Sequence, residues 1–183
     1  MQVRMYMLKN TLILLLLMAA LSCKKEKTTD QSLNQENSAL KANNEAADAN
    51  EGTPPFNLEV VLDGERNQNG HIHFRQDPDP AKIITLDTKI HHLLPNHEYL
   101  LQRAVDAINV IDGNCTSTSW LTLGHGLTPQ AILTNDKGDG EEELWRDVTA
   151  VPSGSMFDIH FRVIDAVSLE VLLTSDCYQY TVR

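Results

Sequence analysis

From Phe56 to Arg183 apolar and polar residues alternate, and no stretch keeps apolar residues at the three-and-four spacing of an amphipathic helix. Leu58, Val60 and Leu62 share one phase, Ile72 and Phe74 lie opposite His71, His73 and Arg75, and Phe157, Ile159, Phe161 and Val163 lie opposite Asp158, His160 and Arg162. A period of two puts successive side chains on opposite faces of an extended backbone, so these runs predict half-buried strands. Further candidates span 82–90, 98–106, 118–123, 130–134, 142–149, 168–174 and 177–182, punctuated by Asp63-Gly64, Pro95-Asn96, Gly138-Asp139-Gly140 and Pro152-Ser153-Gly154. About eight short strands with turn formers every 8–12 residues predict an all-β domain over 56–183, an antiparallel β-sandwich of Greek-key type.

The first 55 residues are of another kind. Residues 1–22 carry Arg4 and Lys9, then an apolar run from Thr11 to Met18, then small residues, which is the layout of a secretory signal peptide. The apolar run is shorter than the roughly 20 residues that cross a bilayer as a helix. Its end, Ala20-Leu21-Ser22-Cys23, resembles the lipobox of bacterial lipoproteins, and Lys24-Lys25 follow at once. The resemblance implies cleavage before Cys23 and acylation of that cysteine with diacylglycerol and a further chain such as palmitate. At about 0.8 kcal/mol per buried methylene, two or three chains hold a protein on a membrane durably. Residues 23–55 are almost entirely Lys, Glu, Asn, Ala, Gln, Asp, Ser and Thr, a composition that builds no core. As a flexible tether they would span about 30 Å.

Charge narrows the partners. From Phe56 onward there are 9 basic and 19 acidic residues, so the domain alone carries −10. That argues against nucleic acid, whose phosphates call for a basic face, and against adhesion of the domain itself to anionic headgroups. The lipid is then the membrane contact, and the expected location is the cell envelope, most simply the outer membrane, with the domain in the periplasm or at the cell surface. With Cys23 assigned to lipid, Cys115 and Cys177 remain in an oxidising compartment and are expected to form a disulfide. A crosslink of that span stabilises by about 4 kcal/mol through loop closure.

Short stretches resemble the copper/zinc superoxide dismutase sandwich: Gly70-His71-Ile72-His73-Phe74 as a strand, Gly113-Asn114-Cys115-Thr116-Ser117 as a cysteine loop, Leu133-Thr134-Asn135-Asp136 before a glycine turn, and a second cysteine in the final strand. The resemblance implies the fold and not the chemistry. Where that family carries a His-x-His copper pair, this chain has Tyr99-Leu100-Leu101-Gln102-Arg103-Ala104, and Ser119-Trp120-Leu121-Thr122-Leu123-Gly124 supplies no zinc ligand.

Among candidate sites, His71 and His73 at i and i+2 point to one face, a spacing that chelates zinc or copper given a third ligand, for which His160 is the candidate. The competing reading is solvated histidines paired with carboxylates, with no cofactor. Asn135-Asp136-Lys137-Gly138-Asp139-Gly140 has calcium-loop letters, but Lys137 occupies a ligand position, so a glycine-rich turn is expected. Trp145 alternates with Leu144 and Val148 and, if they face inward, offers a surface platform for a glycan or peptide. No nucleophilic triad or phosphate-binding loop is recognisable. The functional expectation is a non-catalytic, lipid-anchored domain for binding a protein or glycan partner or for a structural role, with an envelope metal-binding or redox protein as the alternative.

Overall fold

The computed structural model describes residues 55–183, and every regular element among them is a β-strand. In chain order these are β1 (Leu58–Gly64), β2 (Asn69–Gln76), β3 (Ile83–His91), β4 (Glu98–Val105), β5 (Leu121–Thr122), β6 (Gly124–His125), β7 (Thr128–Pro129), β8 (Ala131–Leu133), β9 (Gly140–Asp147), β10 (Met156–Asp165), β11 (Val171–Thr174) and β12 (Tyr178–Thr181). The expected signal peptide, Cys23 and all of the expected tether but Pro55 lie outside the described residues.

All twelve belong to one sheet, in the order β5-β4-β10-β11-β1-β2-β3-β9-β6-β7, with β12 on β10 and β8 on β4. The sheet returns toward its start by two short routes. Strand β8 pairs with β4, and a bridge between Thr134 and Gly140 joins its continuation to β9. The stretch 121–125 pairs with β4 through β5 and with β9 through β6, the latter being parallel. The all-β expectation therefore holds in the form of a single, nearly closed, barrel-like sheet. There are more strands than the expected eight because residues 121–133 form four pieces of two or three residues. Close backbone contact at Gly124 and the missing N–H of Pro129 keep those pieces short.

Alternation decides what fills the interior. Leu58, Val60, Leu62, Ile72, Phe74, Ile84, Leu86, Ile90, Tyr99, Leu101, Leu144, Phe161, Val163 and Leu173 are all buried, each from the apolar phase of its strand. Phe74 meets Tyr180 and Phe161 edge to face, with ring centroids 4.9 and 6.3 Å apart, an arrangement favoured by the ring quadrupoles. The turn from 135 to 140 is built by Asn135, whose Oδ1 accepts the N–H groups of Lys137 and Asp139. Gly138 has φ +81°, and a Cβ there would lie 2.1 Å from the Leu93 carbonyl oxygen. A tight turn uses these residues fully, as expected.

Cys115 and Cys177 form the expected disulfide, with Cα atoms 5.4 Å apart across 62 residues of chain. The loop that carries Cys115 is held down by two carboxylates. Asp158 Oδ2 accepts the N–H groups of Asp112 and Gly113 at 2.9 Å each, and Asp106 accepts those of Thr116 and Ser117. The N–H of Thr116 above all keeps the Asp106 carboxyl below its usual range. As a result the polar face of β10 is covered. Asp158 is fully buried, and Trp120 lies over His160 and Arg162.

Candidate binding sites on the outer face and inside the barrel

Two groups of functional side chains stand out, one outside the sheet and one within it. On the outside, the pairing of β1, β2 and β3 places Glu59 across from His73 and Asn69 across from His91. The rings of His71 and His73 lie 5.1 Å apart edge to face, and His71 stacks with His91 at 6.1 Å. Each flanking imidazole has its own carboxylate: His73 Nδ1 is 3.1 Å from Glu59 Oε2, and His91 Nδ1 is 3.1 Å from Asp139 Oδ1. Arg75 also pairs with Glu59. His71, between them, is pushed below the usual histidine range by partial burial and then by the neighbouring imidazoles and Lys89.

The expected third ligand is elsewhere. His160 sits on β10, separated from β2 by β11 and β1 in the sheet. Its Nε2 donates to the Ser117 carbonyl at 3.0 Å, and its ring packs on Trp120 at 4.6 Å. The structure thus brings His71 and His73 together and keeps His160 apart. Among the described residues no three His, Cys, Asp or Glu side chains are grouped as a metal site. His97 is likewise engaged, with Nε2 2.6 Å from Asp165 Oδ2. Trp145 does project from the outer face of β9 and remains 37% exposed. Gly126, at φ +67°, lies beneath its ring, where a Cβ would come within 2.7 Å.

Inside, a cavity of about 80 Å³ opens at one end of the barrel. Phe74, Ile84, Leu123, Phe157 and other apolar side chains form its wall, and two half-buried arginines, Arg103 and Arg146, border it. Both lie on the inward phase: Arg103 follows Tyr99 and Leu101 along β4, and Arg146 follows Leu144 along β9. Arg146 Nη1 donates to the Gly126 carbonyl at 3.0 Å. No hydrogen bond or ion pair with another described residue satisfies the Arg103 guanidinium. Its pKa is drawn down by burial first and by the charge of Arg146 second. Tyr180 also lines the cavity, and burial pushes its phenol well above the ordinary tyrosine range. Its hydroxyl donates to Gln76 Oε1 at 3.3 Å. Gln76 is itself buried, and its Nε2 has no hydrogen-bond partner among the described residues.

These interior polar groups were not singled out in the sequence reading. The signal was present: Tyr99-x-Leu101-x-Arg103-x-Val105 and Leu144-x-Arg146-x-Val148 each place a cation on an apolar phase. Chemically the end of the barrel is a small, almost wholly apolar recess bordered by two half-buried arginines. Comparison with protein-family models, with curated proteins and with solved structures finds no match to the chain.

Proposed function

We propose that this chain is a lipid-anchored protein of the bacterial cell envelope whose β-domain binds a ligand and performs no reaction on it. The observation that carries the binding role is the apolar recess with inward-facing Arg103 and Arg146. Binding sites typically combine apolar walls with a few convergent polar groups. The anchor rests on Ala20-Leu21-Ser22-Cys23 after the apolar run, and the periplasm or cell surface suits the Cys115–Cys177 bond. The finer fold reading, a Greek-key sandwich, draws support from the strand order, in which β9 follows β1-β2-β3 while β4 lies beside β10. Trp145 is a second place where a glycan or protein partner could rest.

Mass spectrometry of the chain extracted from membranes tests the anchor: the expected product begins at Cys23 and carries acyl chains, and an intact leader without acylation overturns it. Thermal unfolding of the purified protein against small amphiphiles and glycans tests the binding role. At least one class raises the melting temperature in a concentration-dependent way if the reading is right. The alternative of zinc or copper held by His71 and His73 draws on their 5.1 Å ring separation. It requires stoichiometric metal by elemental analysis, lost on alanine replacement of both.

A further inference from the structure

The outer face of β9 carries an empty seat for a cation. We infer that it docks an extended segment of a partner protein in which two arginines alternate, one laid on the open face of Trp145 and the other between Glu143 and Asp87. The inference rests on the partner reading of Trp145 given above and adds the chemistry of that partner.

The chain has two tryptophans, and the difference between them supplies the ground. Trp120 already has its cation: the Arg162 guanidinium lies 4.0 Å from its ring centroid, and the His160 ring lies 4.6 Å from it. Trp145 has neither a cation nor an aromatic ring stacked on it among the described residues. Gly126 backs its ring, which stays 37% exposed. The plate is held in place, since the Gly126 N–H donates to the Trp145 carbonyl at 3.0 Å and Arg146 Nη1 donates to the Gly126 carbonyl at 3.0 Å. Leu127, next to Gly126, is 83% exposed. The apolar surface is therefore wider than one indole and suits a polypeptide better than a single sugar ring. A guanidinium over an indole face is a favourable cation–π pair.

The carboxylates beside the ring set the partner's charge. Alternation along β9 puts Glu143 on the face of Trp145, about 7 Å away along the strand. Strand β3 runs antiparallel to it, with Asp87 directly across from Glu143 and Thr85 across from Trp145. Like charges opposed in this way destabilise a sheet, and neither carboxylate forms an ion pair or hydrogen bond with another described residue. The cations of this face are committed. Lys89, which Asp87 also attracts, is bonded to Glu141 at 2.9 Å, and Arg75 pairs with Glu59. A cation between Asp87 and Glu143 therefore has to come from outside, and a domain with 19 acidic against 9 basic residues draws basic segments toward it. Two arginines at i and i+2 of an extended chain also stand about 7 Å apart on one side of it, which matches the step from Trp145 to Glu143. Their planar guanidinium groups suit an indole face and a carboxylate alike.

Titration calorimetry on the full chain in a non-ionic detergent at low ionic strength tests the inference with the blocked peptide Gly-Arg-Ser-Arg-Gly. The control is the same peptide with citrulline, which keeps the shape of arginine and lacks its charge. The expected result is one site per chain that binds the arginine peptide about tenfold more tightly than the citrulline peptide and weakens as salt is added. Trp145→Ala, at a half-exposed position, lowers the affinity about fivefold and Trp145→Phe restores most of it. Asp87→Asn with Glu143→Gln, which relieves a repulsion and so is expected to fold, lowers it by a similar factor. Glu170→Gln, on the exposed turn before β11, changes it by less than about twofold. If the variants at Trp145, Asp87 and Glu143 lose no more affinity than Glu170→Gln does, the binding is the general attraction of an acidic protein for a base and the inference is overturned. Equal binding of the two peptides, lost in Trp145→Ala, overturns the cationic partner and leaves Trp145 as a place for a neutral one. Tighter binding of a glucosamine tetramer than of the arginine peptide gives the seat to a glycan and overturns the polypeptide partner. Binding of neither peptide overturns the inference and leaves the binding role to the recess, where thermal unfolding tests it separately.

Discussion

The histidines of β2 and β3 outside the sheet and the arginines inside it are arranged by the same alternation, are all half-buried, and differ in their partners. On the outer face of β2 and β3, His73 and His91 each have a carboxylate at 3.1 Å and stay in contact with water. At the end of the interior, Arg103 and Arg146 have no carboxylate partner among the described residues and lie against apolar walls. Each flanking imidazole outside has an anion beside it, whereas the two inward guanidinium groups, half-buried, have none among the described residues. The contrast teaches that alternation fixes which face a charge takes and not whether it finds a partner there.

The comparison can be sharpened with a buried carboxylate that is hydrogen-bonded through one oxygen, Oδ2, while its Oδ1 has no partner among the described residues. Asp158→Ala should destabilise by about 3 kcal/mol in denaturant unfolding, because two N–H donors of the 112–113 backbone lose their acceptor beneath a closed loop. A smaller loss is expected in acid. The N–H groups of Ser168 and Val167, and His97 beside them, hold the Asp165 carboxyl down to about 2. Its folded-state pKa lies below the unfolded value of about 3.9, so its contribution is complete above that value and disappears as pH falls toward 2. Asp165→Asn should flatten that part of the stability profile measured by thermal unfolding.

Arg103→Met should move the other way, raising stability by about 1 kcal/mol in the absence of ligand, since an unpaired cation gives way to an apolar side chain of similar length. A loss instead would mean that Arg103 is compensated in the free protein, and the contrast would break. The smallest effect belongs outside. His73→Ala should change stability by no more than about 0.5 kcal/mol, because its pair with Glu59 is largely solvated. A much larger loss in chemical denaturation would show that the outer cluster is a structural or ligand-bearing unit after all.

Most of the fold was legible because burial enforces the period of two. Strands β3, β4 and β9 fall within two residues of the runs expected from alternation, and the bond between Cys115 and Cys177 joins the two cysteines that remain once Cys23 is set aside as the expected acylation site. The curvature was not legible. Alternation says which face of a strand is apolar, but not whether two sheets face each other or one sheet closes upon itself, which depends on short links such as Thr134 to Gly140. The failure over His160 has the same origin: a face assigned as polar carries no information about what covers it, and here the cysteine loop and Trp120 do. Arg103 and Arg146 were readable as exceptions to the pattern, yet without the neighbouring strands nothing showed that the exceptions converge.

The two ends of the main hydrogen-bonded order are β5 and β7, each two residues long, and β7 includes Pro129, while the four-residue β12 lies off that order on β10. At these two ends little bare strand is left for another polypeptide to extend, and the proline offers no N–H to such a guest. Copies of this domain crowded side by side would therefore find scant purchase at these two ends for runaway strand addition, a protection that comes from how the order terminates.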